Sequence, residues 1–206
     1  MKFRVWILLA AGLLVVGDGA TAAQNTITGT GDFRDALWGQ TPAEVQRQES
    51  APPFYRDDHL VIYRGEFQDT PADVIYYFLN DKLVMGFVHL LLDHEDLAAY
   101  FDDYEAVKSA LGRQVGVPDA ENWQMSLPEL EEDHSLWGDA LGFGLIKVEA
   151  GWLLGDSGLA LRLSGGNLQG QLMLVQFSRQ DMNAGRAAYR DYFAQMIGVP
   201  NKYFRN

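Results

Sequence analysis

The sequence predicts an α+β protein, an antiparallel sheet with helices packed on a face. Three observations carry this. Apolar side chains run almost unbroken through short segments rich in β-branched and aromatic residues: HLVIYRGEF (59–67), VIYYFL (74–79) and LVMGFVHLL (83–91). They then recur every third or fourth residue in HEDLAAYFDDYEAVKSALG (94–112). Between the strand-like runs stand turn sequences, Asp69-Thr70-Pro71 and Asn80-Asp81-Lys82.

The first element is a helix over residues 42–50. Thr41-Pro42-Ala43-Glu44 is a helix start: the Thr41 hydroxyl accepts from the Glu44 amide, and the Glu44 carboxylate reaches back to the Thr41 amide. Pro42 takes the first helical position, where a missing N–H costs nothing. Gly39 lets the chain turn into the cap, and Trp38 is placed to pack over the first turn; the alternative is an exposed Trp38 serving as a ligand platform. Pro52-Pro53 breaks the chain before the three strands. Their continuous apolar runs predict cover on much of both faces for the middle ones.

The 94–112 periodicity puts Leu97, Tyr100, Phe101, Tyr104, Val107, Ala110 and Leu111 on one face of a helix with an acidic start and a stop at Gly112. Residues 117–139 read as a long polar connection containing two prolines and the acidic run 129–133. Three more strands follow at 143–152, 159–164 and 171–178, with turns at Gly155-Asp156-Ser157-Gly158 and Gly165-Gly166-Asn167. A closing helix is expected over 181–197, with Met182, Tyr189, Phe193, Met196 and Ile197 near one face. The order helix, three strands, helix, three strands, helix suggests a loose duplication with halves at 33–92 and 93–197. Leu136-Trp137-Gly138 echoes Leu37-Trp38-Gly39 in support.

The N-terminus is expected to be a cleavable signal peptide, residues 1–22. Lys2 and Arg4 precede an apolar run from Val5 to Val16. Gly17, Asp18 and Gly19 then break it, and Ala20-Thr21-Ala22 satisfies the small-x-small rule, with cleavage after Ala22 or Ala23. The run is short for a bilayer core of ~30 Å, so no stable membrane span is expected after processing. A single α+β domain, 23–206, would then be periplasmic or secreted. Loss of Lys2, Arg4 and Asp18 moves the net charge from −12 to −13. Such a surface repels nucleic acid and anionic lipid and favours a basic or cationic partner. There is no cysteine, so disulfides, thiol nucleophiles and Cys-ligated zinc are excluded.

Phe33-Arg34-x3-Trp38-Gly39-x-Thr41-x2-Glu44-Val45 resembles the opening signature F-R-x3-W-G-x-S-x2-E-V of an uncharacterised family of exported bacterial proteins. That family continues with a Y-x6-L-x4-G-x-P segment and a strand pair around a Gly-Asn turn. These are matched by Tyr104, Leu111, Gly116 and Pro118 and by LALRLSGGNLQGQLMLVQFS (159–178). The helix-then-hairpin order is also similar to the β-lactamase-inhibitor-like fold of small envelope proteins. The resemblance implies an envelope location and carries over no catalytic residue, because its motifs are a cap, a turn and a helix stop.

Gly155-Asp156-Ser157-Gly158 resembles the nucleophile tetrapeptide of trypsin-like proteases, which makes a periplasmic serine hydrolase using Ser157 the alternative function. The tetrapeptide lies between two strand-like runs, however, where a hairpin needs such residues. His89, Asp93, His94, Glu95 and Asp96 lack the one-face spacing of a metal site, and the 129–133 run lacks the alternating ligands of a calcium loop. No metal and no cofactor are expected. The expected function is a non-catalytic envelope protein that binds a protein or small ligand. Trp123 and Trp137, with Glu131, Glu132 and Asp133, form the expected contact region.

Overall fold

The fold is described from a computed structural model covering residues 31–181. All its strands form one antiparallel sheet. In chain order come α1 (Pro42–Gln48), β1 (Tyr55–Arg56), β2 (Leu60–Phe67), β3 (Thr70–Leu79) and β4 (Lys82–Leu90), then α2 (Ala99–Val115) and β5 (Ala120–Met125). A helical insertion follows: α3 (Glu129–Glu132), a 3₁₀ turn (His134–Leu136) and α4 (Trp137–Gly142). The chain then forms β6 (Ile146–Leu154), β7 (Ser157–Gly166) and β8 (Gln169–Ser178). The sheet order is β1-β2-β3-β4-β8-β7-β6-β5, so two four-stranded meanders meet where β4 pairs with β8. The architecture is α+β. The expected leader lies outside the described residues, as does the expected closing helix from residue 182 onward.

The capping box forms as predicted: Glu44 N–H donates to Thr41 Oγ1 (3.4 Å) and Thr41 N–H to Glu44 Oε2 (2.8 Å). The helix ends at Gln48, two residues short of the expected 50. α2 buries Tyr100, Phe101, Tyr104, Val107, Ala110 and Leu111, the predicted face. It does not stop at Gly112. A helix-interior glycine costs only about 1 kcal/mol, and Val115 beyond it packs on the core. The stop is Gly116, at φ 95°, where a residue without Cβ is favoured.

The hairpin at Asn80-Asp81 turns where it was expected, while those at Gln68-Asp69 and Asn167-Leu168 turn one or two residues away from the expected 69–71 and 165–167. Gln68-Asp69, Asn80-Asp81 and Asn167-Leu168 each carry two left-handed residues, the mirror-image turn whose twist matches paired strands. Thr70 and Pro71 therefore belong to β3, and Ser157 opens β7 rather than sitting in a turn. Gly165 is needed for a different reason: a Cβ there would lie under 3.0 Å from the main chain of Leu141, so the glycine lets α4 approach β7.

Two further expectations are corrected. Residues 117–139 are not a polar loop; they hold an edge strand, two short helices and a 3₁₀ turn. Each half has four strands rather than three. The missed strands, β1 and β5, sit at the two sheet edges and are largely exposed, so they lack the apolar pattern of buried strands. The two Leu-Trp-Gly triplets fall at non-equivalent places, one before α1 and one opening α4 between β5 and β6.

The main core lies on one sheet face. Phe33, Val45 of α1, Tyr104 and Leu111 of α2 and Leu141 of α4 pack there on Val74, Tyr76, Val148, Leu161 and Leu174. A second buried cluster, Leu60, Ile75, Met85, Phe87, Met173 and Val175, occupies the opposite face of β2, β3, β4 and β8. The central strands are thus covered on both faces, as their unbroken apolar runs require.

Candidate binding site

The opening motif stitches the N-terminal segment to the sheet. Gly39 N–H donates to Leu83 O, and Leu83 N–H donates to Gln40 O, both at 2.8 Å. Trp38 N–H donates to Asp32 Oδ2 (2.8 Å), and its indole Nε1–H donates to Ser157 Oγ (2.9 Å). Trp38 is half-buried against the main core rather than merely covering the first turn of α1. Ser157 is only 4% exposed. Its hydroxyl accepts from this indole, and among the described residues no histidine hydrogen-bonds to it. A nucleophilic serine needs a base within hydrogen-bond reach; the hydroxyl here is an acceptor joining β7 to the N-terminal segment.

The structure brings the two predicted tryptophans together. Trp123 projects from β5 onto the helix-covered face, Trp137 is the first residue of α4, and their rings stand 5.0 Å apart. Phe101 of α2 completes the cluster, stacked on Trp123 (6.2 Å, 11°) and tilted on Trp137 (5.0 Å). His134 lies 4.0 Å from Trp137 on the outer side. Both indole N–H groups are held, Trp123 to Glu121 Oε1 (3.1 Å) and Trp137 to Leu130 O (2.8 Å). These bonds fix the ring planes of two half-buried side chains. Leu130, 2% exposed, pins α3 beneath them.

Electrostatically the patch is negative. Residues 93–139 contain 13 of the 28 acidic side chains and two of the 16 Lys and Arg. One of those two, Lys108, is held by Glu105 (2.7 Å) and Glu121 (2.9 Å) and lies over the Tyr104 ring (5.1 Å). Burial pulls Lys108 down, but the two carboxylates outweigh it and keep the ammonium above its ordinary range. Tyr104 is fully buried, and its hydroxyl makes no hydrogen bond of good geometry. Burial first, then the Glu121 carboxylate, holds its proton well above the ordinary phenol range.

Of the predicted acidic residues, Glu131 and Glu132 are exposed on α3. Asp133 is engaged within the chain. Its carboxylate accepts from Ser135 N–H (3.0 Å) and Ser135 Oγ (2.6 Å), starting the 3₁₀ turn. The Ser135 hydroxyl and amide hold it below the usual carboxylate range. Leu127 and Leu136, 45% and 40% exposed, flank the insertion with apolar surface.

On the other side of α4 lies a cleft of about 560 Å³, lined by His94, Asp96, Leu97, Ser135, Asp139 and Leu168. His94 Nε2 meets Asp103 Oδ2 at 2.5 Å, and the His94 ring stands edge-on to Tyr100. Among the described residues no three His, Asp or Glu side chains converge as metal ligands. His89 is on β4, well before the loop that carries His94.

Sequence reasoning missed Phe101, Glu121 and His134 as members of the patch. Phe101 carried a clear signal, but as helix core; nothing in the spacing placed it against two tryptophans from other elements. Comparison with family models, with curated proteins and with solved structures finds no match.

Proposed function

We propose that this chain is an exported, non-catalytic envelope protein that binds a positively charged partner through the Trp123–Trp137 patch. The observation that carries the reading is the pairing of two indoles, 14 positions apart, at 5.0 Å, in the most acidic stretch of the chain. Rigid, half-buried indoles beside carboxylates attract Lys, Arg or quaternary ammonium groups, by about 0.5–2 kcal/mol per cation–π contact. Each N–H is already engaged by a protein acceptor, so the parts of the rings that Phe101 and His134 leave uncovered, rather than the N–H groups, are what a ligand meets. The export reading rests on the leader-like residues 1–22, and the resemblance to exported bacterial proteins belongs to the same proposal. Among the described residues, no helix is long and apolar enough to cross a membrane.

The fold itself reads as a duplication of a helix-plus-four-strand unit. Its support is the order α1-β1-β2-β3-β4 and α2-β5-β6-β7-β8, each laid from a sheet edge to the centre. In this reading α3, the 3₁₀ turn and α4 are an insertion specific to the second unit, and that insertion bears the patch.

The test is a titration of the processed chain with a Lys-rich peptide at low and moderate salt. Binding should weaken at least tenfold in Trp123→Ala and in Trp137→Ala, each checked for an unchanged fold by circular dichroism. Folded variants that bind as the parent does would overturn the reading. N-terminal sequencing of the exported protein tests location, and an intact Met1 on membranes would contradict processing.

A further inference from the structure

The patch sits on a sheet edge, and we propose that β5 receives an extended basic segment of the partner as a ninth, antiparallel strand; this rests on the binding reading above and names the shape of what is bound. Among the described residues β5 is the terminal strand, paired with β6 alone. It has six residues, about 20 Å of edge at ~3.3 Å per residue. The other edge, β1, has only two residues.

The ladder decides which main-chain groups are open. Ser126 N–H donates to Leu145 O, so the alternate residues 124, 122 and 120 turn their main chain toward β6. Glu121, Trp123 and Met125 turn theirs outward. These three also place their side chains on the helix-covered face, with Trp123 in the aromatic cluster and Glu121 bound to Lys108. One incoming strand can therefore pair its main chain with these residues and lay its alternate side chains against the Trp123 and Trp137 rings. No proline or lysine within β5 blocks such pairing, although natural edges are commonly protected by those residues.

Charge chooses the occupant. A second copy of β5 would bring a second Glu121 and no cation to this edge, between two processed chains of net charge −13 each, and like charges brought together are unfavourable. A strand with Lys or Arg at every second position meets Glu121 and the indole faces on one side and the polar Asn122 and Gln124 on the other. In an antiparallel addition, residues directly opposite Trp123 share its face and exchange main-chain hydrogen bonds with it. The basic positions are then the ones whose N–H groups point at β5.

The experiment uses a ten-residue peptide of alternating Lys and Thr and two N-methylated versions, one methylated at the Lys positions and one at the Thr positions. Each is titrated against the processed chain and against Trp123→Ala. Methylation at Lys should weaken binding at least tenfold and methylation at Thr no more than about twofold. Amide exchange at Glu121, Trp123 and Met125 should slow on binding. Equal effects of the two methylations, loss at Thr alone, or unchanged exchange at those three amides would overturn strand addition. If Trp123→Ala still abolishes binding in that case, the patch reading survives without it. If Trp123→Ala binds normally, the patch reading itself fails.

Discussion

Replacing Gly86 by Ala puts a methyl group where the Phe33 ring stands. Gly86 lies on β4 between Tyr76 of β3 and Gln176 of β8. A Cβ at 86 would come under 3.0 Å from Phe33 Cδ1, Cγ and Cε1. Carbon atoms pack best at about 3.5–4.0 Å, so the ring must move by roughly 1 Å or leave. It has little room. Phe33 is 1% exposed and edge-on to Tyr76 at 5.2 Å; its segment is held by the Phe33–Ala36 bridge and by the Gln176 side chain donating to Asp32 O. Overpacking costs about 1–3 kcal/mol, and complete loss of a buried phenylalanine about 3–5. Gly86→Ala should therefore cost about 2–4 kcal/mol, lowering Tm by about 4–16 °C for a chain of this size. Phe33→Ala alone should cost about 3–5 kcal/mol. In that background Gly86→Ala should be near neutral, because the methyl enters the vacated space. Urea unfolding of the four proteins, followed by tryptophan fluorescence, measures the cycle. A coupling of about 2 kcal/mol is expected, against about 0.3–0.5 for independent sites; additive effects would refute the reading of Phe33 as the plug of a hole built by Gly86.

Ser157→Ala removes the acceptor of the Trp38 indole and should cost about 1–2 kcal/mol without changing the fold; a fluorophosphonate probe should leave the parent protein unlabelled, and labelling lost in Ser157→Ala would instead make this serine a nucleophile. His89, on β4 beside Asp73, is held below the ordinary imidazole value of 6.5 by burial, which outweighs the neighbouring carboxylate. The unfolded chain thus takes up its proton first as pH falls, so the stability tied to neutral His89 is complete above pH 6.5 and is lost as pH drops below it. An NMR titration should place its midpoint below 6.5, with this part of the acid sensitivity absent in His89→Gln; a midpoint at or above 6.5 would contradict the assignment.

Much of the fold is readable from local pattern. The Thr41–Glu44 box, the apolar face of α2 and the cores of β2, β3 and β4 follow from interactions within a few residues, which any conformation of the chain carries with it. Exposed edges are less readable: Tyr55–Arg56 and Ala120–Met125 gain their strand form from a neighbour's main chain, and no apolar alternation betrays them. Glycines mislead in the same way. Gly112 looks like a stop but lies inside a helix held by its packed face, and Gly165 looks like a turn but makes room for α4.

The binding region divides along this line. Local composition alone marks residues 119–139 as acidic and rich in tryptophan, and it sets the sign of the charge a partner must carry. That Trp123 and Trp137 stand side by side, that Phe101 joins them, and that the pair borders the outermost strand among the described residues all depend on β5 pairing with β6 and on Leu130 and Leu141 seating the insertion in the core. Contacts between residues far apart in the chain exist only once the sheet is assembled, so no spacing along the chain could have announced them.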